Sequence, residues 1–291
     1  MFAEKIALIT DSTCDLPNEI LQKLNAWMLP LKIIYKDRVY ADRLEIQPQE
    51  IYDNFSLEVP TTSQPSPEET RSLFEKLCAQ GFTHAIAIHI SSGLSGTYET
   101  VKMVAGQFNK MKVEVIDSKA LSLALGFLVQ EASQCIQKGL KFENIIARVQ
   151  EMQKNVKVYF VVKTLEYLKK GGRIGYVEGT VGQILDIKPI ISINDEGKYY
   201  GFCKARGRKK SINKLMDILK EQTAGKKINL AVAHGHAREE AETLLDKILN
   251  MKDFHINESM FSQLSPVMVV HTGPGLIGLA YHEVDEGADT P

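Results

Sequence analysis

Apolar runs that alternate with helix-like patterns through the first half of the chain limit it to a layered α/β fold. Ile6-Ala7-Leu8-Ile9-Thr10 reads as a buried strand closed by Asp11-Ser12-Thr13, and Ile20, Leu21 and Leu24 then recur at helical spacing behind Pro17. Residues 84–90 read as a second buried strand, followed by a helix reaching Phe108. Residues 113–116 form a third, ending at Asp117-Ser118 before a long apolar helix over 120–138. Between them lie a strand candidate over 28–35, a short helix opened by Pro48 and running to Phe55, and a helix started by Pro67-Glu68-Glu69. That helix carries Leu73, Phe74 and Leu77 on one face. Strands that alternate with helices predict a mainly parallel sheet with flanking helices.

The second half has a different rhythm. A strand over 157–162 precedes a helical turn over 165–170 that Gly171-Gly172 ends, and residues 181–185 read as a short helix. Residues 188–194 and 199–206 predict a hairpin, with Asp195-Glu196-Gly197 supplying the turn. A helix over 211–221, a strand over 228–233 and a helix over 238–249 follow. The run 267–270 reads as a strand leading into His271, and 276–281 as the last strand. The expectation is a mixed sheet with helices. At 291 residues the chain suits two modest domains. We place an N-terminal α/β domain at 1–155, a C-terminal α/β domain at 156–283, and an acidic tail at 284–291.

Charge narrows the function. A net charge of −1 argues against a protein whose work is neutralising nucleic-acid phosphates; only Arg206-Gly207-Arg208-Lys209-Lys210 tips the local balance. The opening residues run directly into a strand, unlike a signal peptide, and no apolar stretch nears the roughly 18 residues of a membrane span. Cys14, Cys78, Cys135 and Cys203 are scattered without a CxxC pair, which reads as free thiols in a reducing cytosol.

Three short small-residue loops each stand just after a run that reads as a strand: 61–67, 91–97 and 271–275. Ser91-Ser92-Gly93-Leu94-Ser95-Gly96-Thr97 stands between a strand and a helix, the edge where ligands bind in open α/β sheets. Unpaired N–H groups there favour an anion, Gly93 and Gly96 permit close approach, and Ser95 or Thr97 can instead serve as the cap. Ser66 before Pro67 reads as a structural cap, which leaves Thr62 and Ser63 free to face a ligand. His271 is kept uncovered by Gly273 and Gly275. Asp11-Ser12-Thr13 is at the same edge but reads best as a turn and cap.

Other chemistries fit less well. Ser92, Asp117 and His271 follow the chain order of an α/β-hydrolase triad, but Gly93-Leu94-Ser95-Gly96-Thr97 breaks the G-x-S-x-G elbow at Thr97. His234-Gly235-His236 lacks the further partners a zinc site requires. The segment 170–173, Lys-Gly-Gly-Arg, is not a P-loop, so no ATP site or other cofactor is expected. A carrier or sensor of a phosphorylated small molecule at the same helix terminus stays open.

Several motifs together resemble the DegV family: Asp11-Ser12-Thr13-Cys14-Asp15-Leu16-Pro17, Thr-Ser-Gln-Pro-Ser over 62–66, Ser-Ser-Gly-Leu-Ser-Gly-Thr-Tyr over 91–98, and Leu-Lys-Lys-Gly-Gly-Arg-Ile over 168–174. The basic cluster at 206–210 and the closing His271-Thr272-Gly273-Pro274-Gly275 complete the match, which spans about 5–282. The resemblance implies two α/β domains with one long-chain fatty acid, of the palmitate, oleate or stearate class, in an apolar tunnel between them. It implies a non-catalytic subunit that presents the acyl carboxylate to a separate ATP-binding kinase subunit, giving an acyl phosphate. Thr62, Ser92 and His271 would hold the carboxylate, with Ser63, Ser95, Gly96 and Gly273 beside them. Arg173, Arg206 and Lys209 would serve docking on the kinase subunit or transiently on a membrane surface.

Overall fold

The computed structural model describes residues 4–180 and 186–284. The expected helix over 181–185 and nearly all of the acidic tail lie outside the described residues.

In chain order the first half comprises β1 (Ile6–Asp11), α1 (Asn18–Lys23), β2 (Ala26–Leu29), β3 (Lys32–Ile34), β4 (Val39–Ala41) and α2 (Pro48–Asn54). It continues with β5 (Thr61–Ser63), α3 (Pro67–Ala79), β6 (His84–His89), α4 (Thr97–Gly106) and β7 (Lys112–Asp117). Two helices follow, α5 (Ser122–Gln137) and α6 (Phe142–Asn155). Strands β1, β2, β6 and β7 form a parallel sheet in the order β2-β1-β6-β7. The strand expected over 28–35 is in fact two. Its first part closes the parallel sheet as β2, and its second is the centre of a small antiparallel sheet, β4-β3-β5.

The second half comprises β8 (Lys157–Val161), α7 (Glu166–Lys170), β9 (Ile187–Ile193), β10 (Tyr199–Arg206), α8 (Arg208–Gln222) and β11 (Lys227–Gly235). It ends with α9 (Arg238–Asn250), β12 (His255–Gln263), α10 (Pro266–Thr272) and β13 (Leu276–Glu283). The six strands form one mixed sheet, β10-β9-β8-β13-β11-β12, in which β11 and β12 are parallel and the other pairs antiparallel. The expected hairpin is β9 and β10. Strand β12 escaped the sequence reading because it is an edge strand, exposed at most positions and without a continuous apolar run.

Helix α6 was also missed, although Phe142, Ile145, Ile146, Val149 and Met152 recur at helical spacing and are buried. It ends at Asn155, and β8 begins the next sheet at Lys157. The largest apolar cluster nonetheless runs through both halves, from Leu8 and Ile86 through Leu125 and Ile145 to Phe160, Ala231 and Val269. Helix α5, with Leu123 to Val129 buried, packs on β1 and β6 of one sheet and on β11 and β13 of the other. Among the described residues no helix is long and apolar enough to cross a membrane.

The run 267–270 is helical, which overturns its reading as a strand. The composition of α10, Pro-Val-Met-Val-Val-His-Thr, is poor for a helix because β-branched side chains lose rotamer freedom there. Pro266 presets the first turn, and two buried carboxylates from the N-terminal half supply caps. Asp15 Oδ1 accepts the Ser265 N–H at 2.8 Å, and Asp42 Oδ1 accepts the Val267 N–H at 3.0 Å. His271 therefore sits near the end of a helix, not of a strand.

Candidate functional site

The three small-residue segments converge, although only one is a loop after a strand. Thr61 to Ser63 form β5, in register with β3 so that Thr62 faces Ile33. Ser66 caps α3 as expected: its Oγ accepts the Glu69 N–H, and the Glu69 carboxylate accepts the Ser66 N–H. Gln64 spans to α4, which the second segment opens, donating from Nε2 to Thr100 Oγ1 at 3.2 Å. Gly96 makes room for it, since a Cβ there would lie 2.8 Å from Gln64 Oε1.

The central contact joins β5 to α10: Thr62 Oγ1 and His271 Nε2 are 2.7 Å apart across 209 positions of sequence. Burial and the nearby Arg173 charge depress His271 to about 4, so it is neutral near pH 7. Its Nδ1 is buried without a hydrogen-bond partner among the described residues and faces Gly171. A lone pair at Nδ1 suits the nearby Arg173 cation better than a proton does. The proton then lies on Nε2 and is donated to Thr62 Oγ1, so the threonine hydroxyl is left to donate onward.

Arg173 is half-buried, with Nε donating to the Leu94 carbonyl at 3.1 Å and Nη1 to the Gly171 carbonyl at 2.7 Å. It ties the end of α7 to the 91–97 loop and is less exposed than the glycines beside it suggest. Arg206 and Lys209 are exposed, at the end of β10 and in the first turn of α8.

Ser92 is half-buried and held from behind. Its N–H donates to Asp117 Oδ1 at 3.1 Å, and Lys119 Nζ donates to its Oγ at 3.2 Å and to Asp117 Oδ2 at 2.8 Å. Burial pushes Asp117 up, but its partners outweigh that, foremost Lys119, and hold it below the usual carboxylate range. The hydrolase triad is thus not assembled: Asp117 orients Ser92 and Lys119, while His271 is on Thr62. Ser95 Oγ is spent locally, 2.9 Å from Thr97 Oγ1 and accepting the Thr97 N–H. Ser63 is half-buried on β5. The tip of the β9–β10 hairpin also reaches this loop, where the Gly197 carbonyl accepts Ser91 Oγ at 2.8 Å.

Glycines set the packing around His271. Gly273, at φ +64, lets the Tyr167 ring approach within 2.2 Å of where a Cβ would stand, and Tyr167 packs on Phe55. Asp11-Ser12-Thr13 is structural, as expected. The Asp11 carboxylate accepts from Thr13, Ile90 and the buried His89, and Ser12 Oγ accepts the Leu31 N–H. The His236 ring packs at a tilt against Tyr52, and no cluster of three metal-ligating side chains occurs among the described residues.

Beside this assembly lies a small apolar cavity. The start of α5 forms one wall through Leu121 and Ala124, and the second sheet contributes Phe160, Tyr199 and Leu276. Helix α10 closes it with Met268 and Thr272, which bracket His271. Thr62, Ser92 and His271 are not themselves on the wall. The sequence reading missed Asp15, Asp42, Lys119 and Gly171, whose roles depend on neighbours far away in the chain; only the Gly171-Gly172 pair left a local signal.

A family model described as "Uncharacterised protein, DegV family" matches residues 5–284. A DegV domain-containing protein of Clostridium acetobutylicum is 48% identical over 276 residues, covering 95% of this chain and 98% of its own. Two solved structures have the same fold. A fatty-acid-binding DegV family protein of Thermus thermophilus superposes with a TM-score of 0.90 at 31% identity, covering 96% of this chain and 100% of that one. DegV of Bacillus subtilis, described as a fatty acid binding protein, gives 0.87 at 30% identity over 97% and 100% of the two chains. With its motifs, its two-sheet fold and its full-length relatives in agreement, this chain belongs to the DegV family.

Proposed function

We propose that this protein binds one long-chain fatty acid, of the palmitate, oleate or stearate class, with its tail in the apolar cavity and its carboxylate at Thr62, His271 and Ser92. The observation that carries the reading is the 2.7 Å contact between Thr62 and a neutral, half-buried His271, one helical turn from side chains that wall the cavity. Ser63, Ser95, Gly96 and Gly273 shape the surroundings of the head group. An acyl chain of about 14 methylenes gains on the order of 11 kcal/mol at roughly 0.8 kcal/mol per buried CH₂, and association and ordering consume much of it. The tail supplies affinity, while the hydroxyls keep the carboxylate from being buried unpaired.

The ligand fits a presenting role. Hydroxyl and imidazole groups hold a carboxylate without a direct lysine salt bridge, leaving an oxygen free to accept a phosphoryl group from a separate ATP-binding kinase subunit. Arg206 and Lys209, both exposed, are the docking groups in this reading, with a transient membrane contact as a second use of the same face. The chain itself is the non-catalytic partner. Native mass spectrometry of purified protein tests the binding step and is expected to show one fatty-acid adduct. Protein that arrives lipid-free and also refuses oleate refutes it.

A further inference from the structure

Asp15 does not line the cavity, yet its carboxylate reaches both of the cavity's helical walls. It is 3% exposed and follows a 3-10 turn, Ser12–Cys14, in the left-handed conformation at φ 53. Its Oδ2 accepts Ser122 Oγ at 2.5 Å. Ser122 opens α5, is itself at φ 53, and stands between Leu121 and Leu123 on one wall. Asp15 Oδ1 accepts the N–H of Ser265, the cap of α10, whose Met268 and Thr272 form the facing wall. The Asp15 main-chain carbonyl accepts Ser262 Oγ at 2.7 Å, which brings the end of β12 to the same point. Non-glycine residues persist in the left-handed region only where neighbours hold them, and here two such residues hold each other.

We propose that Asp15 is a positioning residue: by holding the first turns of α5 and α10 on its two carboxylate oxygens, it sets the gap between the cavity walls and so decides which acyl shapes enter. This rests on the fatty-acid reading above. A fixed gap admits a straight chain and a kinked chain of the same length unequally. Released walls separate and repack around either, so the two affinities draw together.

The variants follow from hydrogen-bonding capacity. Asp15→Asn keeps an oxygen for the Ser265 N–H and turns an NH₂ donor toward Ser122 Oγ, which can accept it, so both arms survive. Asp15→Ala removes both arms, and Ser122→Ala removes one. The test is calorimetric titration of each full-length protein with stearate and with oleate, beside a thermal melt. We expect a wild-type affinity ratio well away from one, retained in Asp15→Asn, at least fivefold closer to one in Asp15→Ala, and intermediate in Ser122→Ala. If Asp15→Ala does not fold, Ser122→Ala carries the test. A purely structural role would lower both affinities and the melting temperature together and leave the ratio unmoved, which overturns the proposal. A wild-type ratio within twofold of one overturns it as well. Wild-type protein that binds neither acid instead defeats the fatty-acid reading itself.

Discussion

Gly171→Ala sets two known effects against each other at the head-group site. Gly171 ends α7 at φ −78 and ψ −2, a conformation any residue adopts, so alanine brings no backbone strain. Helix propensity alone favours the change by up to about 1 kcal/mol. The added Cβ, however, would stand 2.2 Å from His271 Nδ1, 3.0 Å from Cε1 and 3.1 Å from the Tyr167 carbonyl oxygen, against ordinary contact from 3.4 Å. The ring must retreat by more than 1 Å, and it cannot do so while keeping its 2.7 Å contact with Thr62. Overpacking of this kind costs about 1–3 kcal/mol, and the lost hydrogen bond about 1 more. Steric cost therefore wins, by about 1–3 kcal/mol. Because the displaced ring belongs to the head-group site, oleate affinity should fall on the order of tenfold to a hundredfold, at 1.4 kcal/mol per decade. Calorimetric titration with oleate and a thermal melt measure both effects. Gly106→Ala is the control: it ends α4, meets nothing within 4 Å, and should stabilise by about 0.5–1 kcal/mol without touching affinity. Wild-type oleate affinity and melting temperature in Gly171→Ala would refute the steric argument.

Thr62→Val keeps the shape of the side chain and removes its hydroxyl, so oleate affinity should drop about tenfold by titration, with circular dichroism unchanged. Gly197→Ala places a Cβ 2.0 Å from Ser91 Oγ at φ +78 and should push the hairpin tip off the 91–97 loop. We expect a loss of about 2 kcal/mol or more in urea unfolding, and an unmoved midpoint counts against that contact. The pH dependence follows from two buried aspartates and the half-buried His271. Burial raises Asp15 to about 6 and Asp42 to about 7, while His271 is lowered to about 4. The raised carboxyls contribute stability that is lost as pH climbs through 6 and 7; the lowered histidine contributes stability that is lost as pH falls from 6.5 toward 4. Between pH 4 and 6 the folded chain holds both aspartyl protons and the unfolded chain holds the histidine proton, so these groups together make stability fall by about 1.4 kcal/mol per rising pH unit. Asp42→Asn isolates one of them, because Asp42 Oδ2 is buried without a hydrogen-bond partner among the described residues. The variant's advantage over wild type in urea unfolding should grow by on the order of 2–3 kcal/mol between pH 5 and pH 8, whereas a difference that does not change with pH would refute an ionised, strained Asp42.

The parallel sheet was legible because β1 and β6 are apolar runs with helix patterns beside them, and local pattern suffices for elements buried on both faces; β7, at the sheet edge, offered only the short run Val113 to Ile116. Thr62 and His271 were legible as residue types, and the structure places them in contact. Arg173 misled because its neighbours Gly171 and Gly172 imply an open turn, whereas its guanidinium is occupied by carbonyls of its own turn and of the 91–97 loop. Strand β12 offered no alternation to detect, and α6 was overlooked despite a clear periodicity.

The deepest miss, α10, shows why the site cannot be read locally. Four of its seven residues are Val, Val, Val and Thr, which on their own favour an extended chain. The helix forms because its first N–H groups meet carboxylates at Asp15 and Asp42, 250 and 225 positions earlier. Those same caps carry His271 to Thr62 and set Met268 and Thr272 against the cavity. Had the run been a strand, alternation would have turned successive side chains to opposite faces, and one face could not have offered both the imidazole and the apolar wall. In a helix Met268, His271 and Thr272 fall within one turn, so the tail and the head of a ligand can be addressed by a single element. The polar end of the site is thus built by long-range electrostatics acting on a weak helix, and substitutions at Asp15 or Asp42 should reach the ligand without touching it.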